Sequence, residues 1–148
     1  MIVVAGCGYV GERLADLLHE AGQVVHGLTH SLESAQWLAS SKPWAVHACD
    51  ISSTESVASL AAELGEVEVV VHCASSNRGG AEVYRAVYEQ GMNNLAAAFP
   101  NARLVFTSSS SVYAQTDGSV VTEESPAQPD RETGLILRAA EDLTLKRG

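Results

Sequence analysis

Apolar residues recur along this chain in two alternating rhythms, short β-branched runs and longer stretches spaced by three and four. Ile2-Val3-Val4-Ala5 is a run of the first kind and predicts a buried strand. Val10, Leu14, Leu17, Leu18 and Ala21 then mark one face of a helix that Gly22 ends. Val24 to Leu28 predicts a second strand, and Ser31 stands as N-cap to a short helix carrying Leu32, Ala35 and Leu38. Trp44 to Ala48 predicts a third strand. Ser52 and Glu55 have capping-box spacing before a helix with Val57, Leu60, Ala61 and Leu64, closed by Gly65. Val67 to Val71 predicts a fourth strand, followed by one long helix from about Ala81 to Phe99. Its inward residues are read as Val83, Val87, Gly91, Leu95 and Ala98, with Tyr84 and Tyr88 one turn apart. Leu104-Val105-Phe106 predicts the fifth strand. A last helix begins near Arg131 and carries Leu135, Ala139, Leu143 and Leu145.

Strand and helix therefore alternate with short connections and no internal repeat. That pattern predicts one α/β domain over residues 1–148, a Rossmann-type doubly wound parallel sheet. Three layers, αβα, and at least five strands are expected. Residues 114–130 form the longest irregular stretch, read as a substrate-side loop or plain surface.

In such a sheet the ligand edge is the one formed by the strands' C-terminal ends. Four polar or glycine-rich segments fall there. Gly6-Cys7-Gly8-Tyr9-Val10-Gly11 lies between the first strand and first helix, where a dinucleotide pyrophosphate is held. Gly6 permits the tight turn, Gly8 the approach of the phosphates, and Gly11 close packing of helix on strand. After the second strand an NAD site carries an acid for the ribose 2′-hydroxyl. Here the residues are Thr29-His30-Ser31, with no acid before Glu33. Nothing repels a 2′-phosphate, so NADP is the expected cofactor, with NAD possible. The loop Ser75-Ser76-Asn77-Arg78-Gly79-Gly80 and the run Thr107-Ser108-Ser109-Ser110-Ser111-Val112-Tyr113 complete the edge.

Composition narrows the partners. A net charge of −9 leaves no basic surface for nucleic acid or an anionic membrane. The three cysteines, Cys7, Cys49 and Cys73, have no metal-type spacing, so no metal is expected. An odd cysteine count, no apolar run of membrane length and no room for a leader before the first strand suggest a cytoplasmic protein.

Taken in order, these motifs resemble the cofactor-binding half of an extended or atypical short-chain dehydrogenase/reductase of the NAD(P)-dependent epimerase/dehydratase kind. Asp50-Ile51 is similar to the pair that contacts adenine in that family, and Cys73-Ala74-Ser75 to the segment along the cofactor. Gly91, Asn94 and Leu95 resemble its long-helix motif, with Tyr88 where many relatives have Asn. The serine run resembles its strand-five motif, Ala114 replacing a glycine. The resemblance implies cofactor contacts at Gly6, Cys7, Gly8, Tyr9, Val10, Gly11, Thr29, His30, Ser31, Asp50, Ile51, Cys73, Ala74, Ser75, Tyr88 and Thr107. It also implies an unknown small-molecule substrate, of the nucleotide-sugar kind by analogy alone. A homodimer through residues 81–99 and 131–146 is possible on the same grounds.

The family's catalytic pair is a Tyr and a Lys four residues later, the acid/base and the group that lowers its pKa. Aligning Gly134 and Glu141 with the family helix puts Thr133 at the Tyr position and Leu137 at the Lys position. Neither can do that chemistry. Arg138 is adjacent but points elsewhere on a helix. Ser109 falls at the substrate-orienting serine, and Tyr113 or Tyr88 could replace the acid. Members of the family are about twice as long, so Leu104-Val105-Phe106 is expected to be an uncovered apolar edge and the chain a truncated or degenerate member. The expected function is NAD(P) binding with epimerase/dehydratase-type hydride chemistry. The alternative is a cofactor-binding regulatory or interaction module without catalysis, or a fragment that no longer binds.

Overall fold

The computed structural model describes residues 1–77 and 79–147; Arg78 of the polar loop and the terminal Gly148 lie outside them. Five parallel strands form one sheet in the order β3-β2-β1-β4-β5. They are β1 (Ile2–Ala5), β2 (Val25–Thr29), β3 (Ala45–Ala48), β4 (Val69–His72) and β5 (Arg103–Phe106). Helices α1 (Tyr9–Glu20) and α2 (Leu32–Ala39) link the first three strands, and α3 (Thr54–Leu64) returns to β4. Between β4 and β5 run α4 (Ala81–Tyr84), a π-helical turn (Arg85–Gln90) and α5 (Gly91–Ala98). A 3₁₀ turn (Ser110–Val112) and α6 (Glu132–Leu145) follow β5.

The sequence direction reverses at β1, whose neighbours are β2 and β4. This is the switch point at which open parallel sheets bind ligands. On one face Val4 and Val25 pack with Ala15 of α1, Leu38 of α2 and Trp44. On the other, Val3, Ala5, Leu28, Val70 and Leu104 pack with Val57 and Leu60 of α3 and Met92 and Leu95 of α5. Burial on both sides of the central strands β1 and β4 explains why Ile2–Ala5 and residues 69–71 are continuously apolar.

Several expectations shift. The cap of α3 is Ser53, whose oxygen accepts from the Ser56 amide at 3.2 Å, rather than Ser52. Ser52 is drawn away because its amide and hydroxyl both donate to the Asp50 carboxylate. On α1 the buried residues are Gly11 and Ala15, while Val10 and Leu17 are exposed. A long apolar side chain at those positions would hold the helix too far from β1. The helix after β4 is not uniform. The Gly91 amide reaches back five residues to the Ala86 carbonyl, and this wider turn rotates what precedes it. Val83 is consequently exposed. On α6 the inward residues are Gly134, Ile136, Leu137 and Ala140, with Leu135 and Leu145 outside. The uncovered edge is also narrower than expected. Leu104 is buried, and Phe106 packs against the cluster that includes Ile136 and Leu137. Along the paired residues Val4, Val71 and Val105, exposure climbs from 0% through 7% to 41%, because among the described residues no helix covers β5 on the α1 side.

Two histidines, His26 and His72, are expected to make the fold acid-sensitive. His26 Nδ1 lies 2.9 Å from His47 Nε2, and the far nitrogen of His47 is 3.7 Å from Glu63. Burial, then the neighbouring His47, lowers the His26 pKa; Glu63 opposes this and the N-terminus reinforces it. Burial also lowers that of His72, which packs against Tyr88 and Phe106. Each folded-state pKa is below the unfolded value, so the unfolded chain takes up protons first as pH falls. Their contribution is complete above the ordinary imidazole value of 6.5 and is lost as pH drops below it. Thermal midpoints recorded from pH 8 to pH 5 are expected to fall in that window, and to fall less steeply for His26→Asn. A level profile would remove the account.

Candidate functional site

The site is built around the turn after β1. The Gly6 and Cys7 amides both donate to the Leu28 carbonyl, at 3.1 and 2.9 Å, which folds the chain sharply back. Gly6 has φ +96°, in the region that favours glycine, and a Cβ there would lie 2.3 Å from the Ala74 backbone. A Cβ on Gly11 would lie 2.2 Å from the Gly6 carbonyl. Gly8 is the opposite case, with no atom within 4 Å of its added Cβ. Two glycines thus bring β1, β4 and α1 together, and the third leaves the mouth of the turn open.

Helix α1 begins at this opening with Gly8 as N-cap and no side-chain cap. By contrast, α2, α3 and the 3₁₀ turn are capped by Ser31, Ser53 and Ser109. Backbone amides at the positive end of a helix, beside an open glycine, suit a pyrophosphate. Glu12, the acid in the first turn of α1, is held by Lys42 at 2.7 Å. Tyr9 and Val10 stand exposed at the rim. Cys7 donates to the Val4 carbonyl at 3.5 Å, and burial pushes its thiol up to about 12. Burial raises Cys73 as well. Both therefore remain thiols, which suits small packing residues.

At the β2 end the structure spends two of the three candidate donors internally. Thr29 Oγ1 donates to the Ser31 carbonyl at 3.2 Å. The Ser31 hydroxyl accepts from the Ser34 amide and donates to the Ser34 hydroxyl. His30 remains, 81% exposed, with Nδ1 3.7 Å from Asp50 Oδ1. Asp50 and Ile51 lie beside it at the end of β3. They are fixed from below by α5: Asn94 Nδ2 donates to the Ile51 carbonyl at 2.9 Å, and a Cβ on Gly91 would touch the Ile51 side chain at 2.9 Å. The long-helix motif read in the sequence therefore supports this loop.

Beyond the switch point, Cys73, Ala74 and Ser75 continue from β4, and the Cys73 amide is held by the Ala5 carbonyl at 2.7 Å. Thr107 donates from both amide and hydroxyl to the His72 carbonyl. Tyr88 is buried, and its hydroxyl oxygen accepts from the Ser76 amide at 3.2 Å. Sequence reasoning missed this contact and the π turn that allows it. The one available signal was His72, a polar residue closing an otherwise apolar strand. The Ser109 hydroxyl accepts from the Ser111 amide at 3.2 Å and shares a 3.0 Å hydrogen bond with the Ser111 hydroxyl. Tyr113 donates its hydroxyl proton to the Thr122 carbonyl at 3.1 Å. Thr133 is half-buried in the first turn of α6, and Leu137 is 1% exposed in the cluster with Tyr88, Val112, Ile136 and Ala140.

The model of the NAD dependent epimerase/dehydratase family matches residues 2–135. The chain belongs to that family. No curated protein matches it. Among solved structures, the epimerase/dehydratase fold is matched by a UDP-galactose 4-epimerase at 24% identity and TM-score 0.75, over 97% of this chain and 50% of that one. The Bordetella bronchiseptica enzyme WbmH, in complex with NAD+, is 22% identical with TM-score 0.79, over 99% and 52% of the two chains. A UDP-Glc/GlcNAc 4-epimerase from Campylobacter jejuni is 19% identical with TM-score 0.81, over 99% and 48%. This epimerase/dehydratase family member thus spans about half the length of these three structures. At these identities the likeness is one of fold.

Proposed function

We propose that this chain holds a nicotinamide dinucleotide across the C-terminal edge of its sheet, with the pyrophosphate on the Gly6–Gly11 turn. The observation that carries the reading is the pairing of a close-packed Gly6 and Gly11 with an open Gly8 at an uncapped helix. The adenosine half lies over Asp50 and Ile51, and the second mononucleotide lies toward β4 and β5. NADP(H) is preferred, because the first acid after β2 is Glu33, already within α2, and His30 is the exposed donor left at the strand end.

A bound nicotinamide supplies or accepts hydride. The chain's own residues bind and orient it, but the proton side of the family's chemistry has no Tyr–Lys pair here. Thr133 carries only a hydroxyl that does not ionise near neutrality, and Leu137 is in the core. The reading is therefore of a cofactor-holding member whose matched segment lacks the usual acid/base. A nucleotide sugar is the substrate class by analogy with the named neighbours alone. A second reading keeps hydride chemistry at the β5 end, with Ser109 orienting substrate and Tyr113 as acid. The exposed Ser109 hydroxyl favours it. Self-association would use the outer sides of the helices bearing Val83 and Leu135, both exposed.

Calorimetric titration with NADPH and then NADH tests the assignment. Tighter NADPH binding, weakened for His30→Ala, is the expected result. Tighter NADH binding would reverse the preference and leave the cleft. Binding of neither by a folded chain would overturn the reading, and turnover with a nucleotide sugar would favour the second one.

A further inference from the structure

His72 is a buried group that the proposed binding does not use. It ends β4 with no exposure. Its Nε2 lies 2.9 Å from the Val87 carbonyl; a carbonyl only accepts, so Nε2 carries the proton. That leaves Nδ1 as an acceptor, and among the described residues it is the one buried side-chain nitrogen or oxygen without a partner. An orphaned buried acceptor is unfavourable, and what this histidine gains in return is the Nε2–H bond to the Val87 carbonyl. The carbonyl it satisfies belongs to the π turn, where the shift to five-residue spacing disturbs the usual pairing. The next residue is Tyr88. Its ring lies 6.0 Å from His72 and 5.9 Å from Phe106, and its hydroxyl oxygen holds the Ser76 amide. Ser76 follows the Cys73-Ala74-Ser75 segment that walls the cleft beside Gly6.

We infer that His72 is a positioning residue for the second-mononucleotide side of the cleft, its Nε2–H holding the Val87 carbonyl so that Tyr88 fixes the Ser76 loop. The inference rests on the dinucleotide reading above. It separates two functions of one strand end: the Cys73–Ser75 backbone faces the ligand, and the preceding side chain, turned inward, sets the loop from behind.

The test compares NADPH with ADP, which has only the adenosine and pyrophosphate parts, on three variants. His72→Leu fills the space without a donor. His72→Gln carries an N–H at similar reach. Tyr88→Phe removes only the hydroxyl on Ser76 and serves if His72→Leu does not fold. Expected are a loss of about tenfold in NADPH affinity for His72→Leu and Tyr88→Phe, ADP affinity within twofold, and recovery in His72→Gln. Hydrogen exchange of the Ser76 amide, with no ligand present, should speed up in the first two variants and return in the third. Equal loss of ADP and NADPH binding would make His72 a general packing residue and overturn the inference. So would unchanged NADPH affinity in Tyr88→Phe. Wild-type chain that binds neither ligand removes the dinucleotide reading itself, and this inference with it, which the first titration distinguishes.

Discussion

A Gly6→Ala chain is expected to lose about 3 kcal/mol of stability together with dinucleotide binding, while Gly8→Ala keeps its stability and loses binding at least tenfold. The two glycines look alike in sequence but occupy opposite surroundings. At Gly6 the positive φ already disfavours any side chain, and the new methyl would sit 2.3 Å from the Ala74 backbone. Backbone cannot swing aside as a side-chain tip can, so β1 and β4 must part. At Gly8 the backbone is extended, with φ −89°, and the methyl meets no protein atom. The added bulk there occupies the space assigned to phosphate. Urea unfolding and NADPH titration of both variants read the two effects separately. A Gly8→Ala chain that binds like wild type would move the pyrophosphate away from this turn.

A lysine placed at position 137, where the resemblance sets the family's lysine, is expected to damage the fold. Leu137 is 1% exposed and packs with Tyr88, Val112, Ile136 and Ala140. A buried ammonium loses its hydration, and a cost of about 4 kcal/mol follows from a pKa depressed by about three units. The sign is clear: a lysine with a lowered folded-state pKa costs more stability as pH falls. Leu137→Met, by comparison, should cost about 1 kcal/mol or less. Urea unfolding of Leu137→Lys at pH 6 and pH 9 checks this. Equal, near-wild-type stability at both would show that the position opens to the cleft and that the family's lysine has a place to stand.

What the sequence disclosed best was whatever a single residue type forces. Gly6 and Gly11 could be read because close backbone contact and positive φ admit nothing else. Alternating runs gave the strand set and parallel class, with limits off by one or two residues. Helix faces were less legible. On α6 and α1, burial follows small residues such as Gly134 and Ala15 as much as large ones, so counting leucines was right only in part: Leu14, Leu18 and Leu143 pack inward, and Leu17, Leu135 and Leu145 do not. The π turn was hidden because a one-residue change of phase leaves no signature in composition. At the site, hydroxyl-rich stretches gave the right edge but not the roles. Thr29, Ser31 and Ser109 could each serve a ligand or their own backbone, and only coordinates show the second use.

The strand order also decides when the cleft comes into being. β1 and β2 follow one another closely, so an emerging chain can fold the glycine turn onto the Leu28 carbonyl early, whereas the loop of Asp50 and Ile51 waits for Asn94 and Gly91 of α5. The wall against Gly6 is Ala74, beyond α3 and β4, and closing that long loop carries an entropic cost before its contacts form. During synthesis the Gly6–Gly11 turn is therefore expected to exist for a time as half a cleft. The dinucleotide proposed above would bridge it only after β4 docks beside β1, and from then on would favour the assembled sheet by mass action.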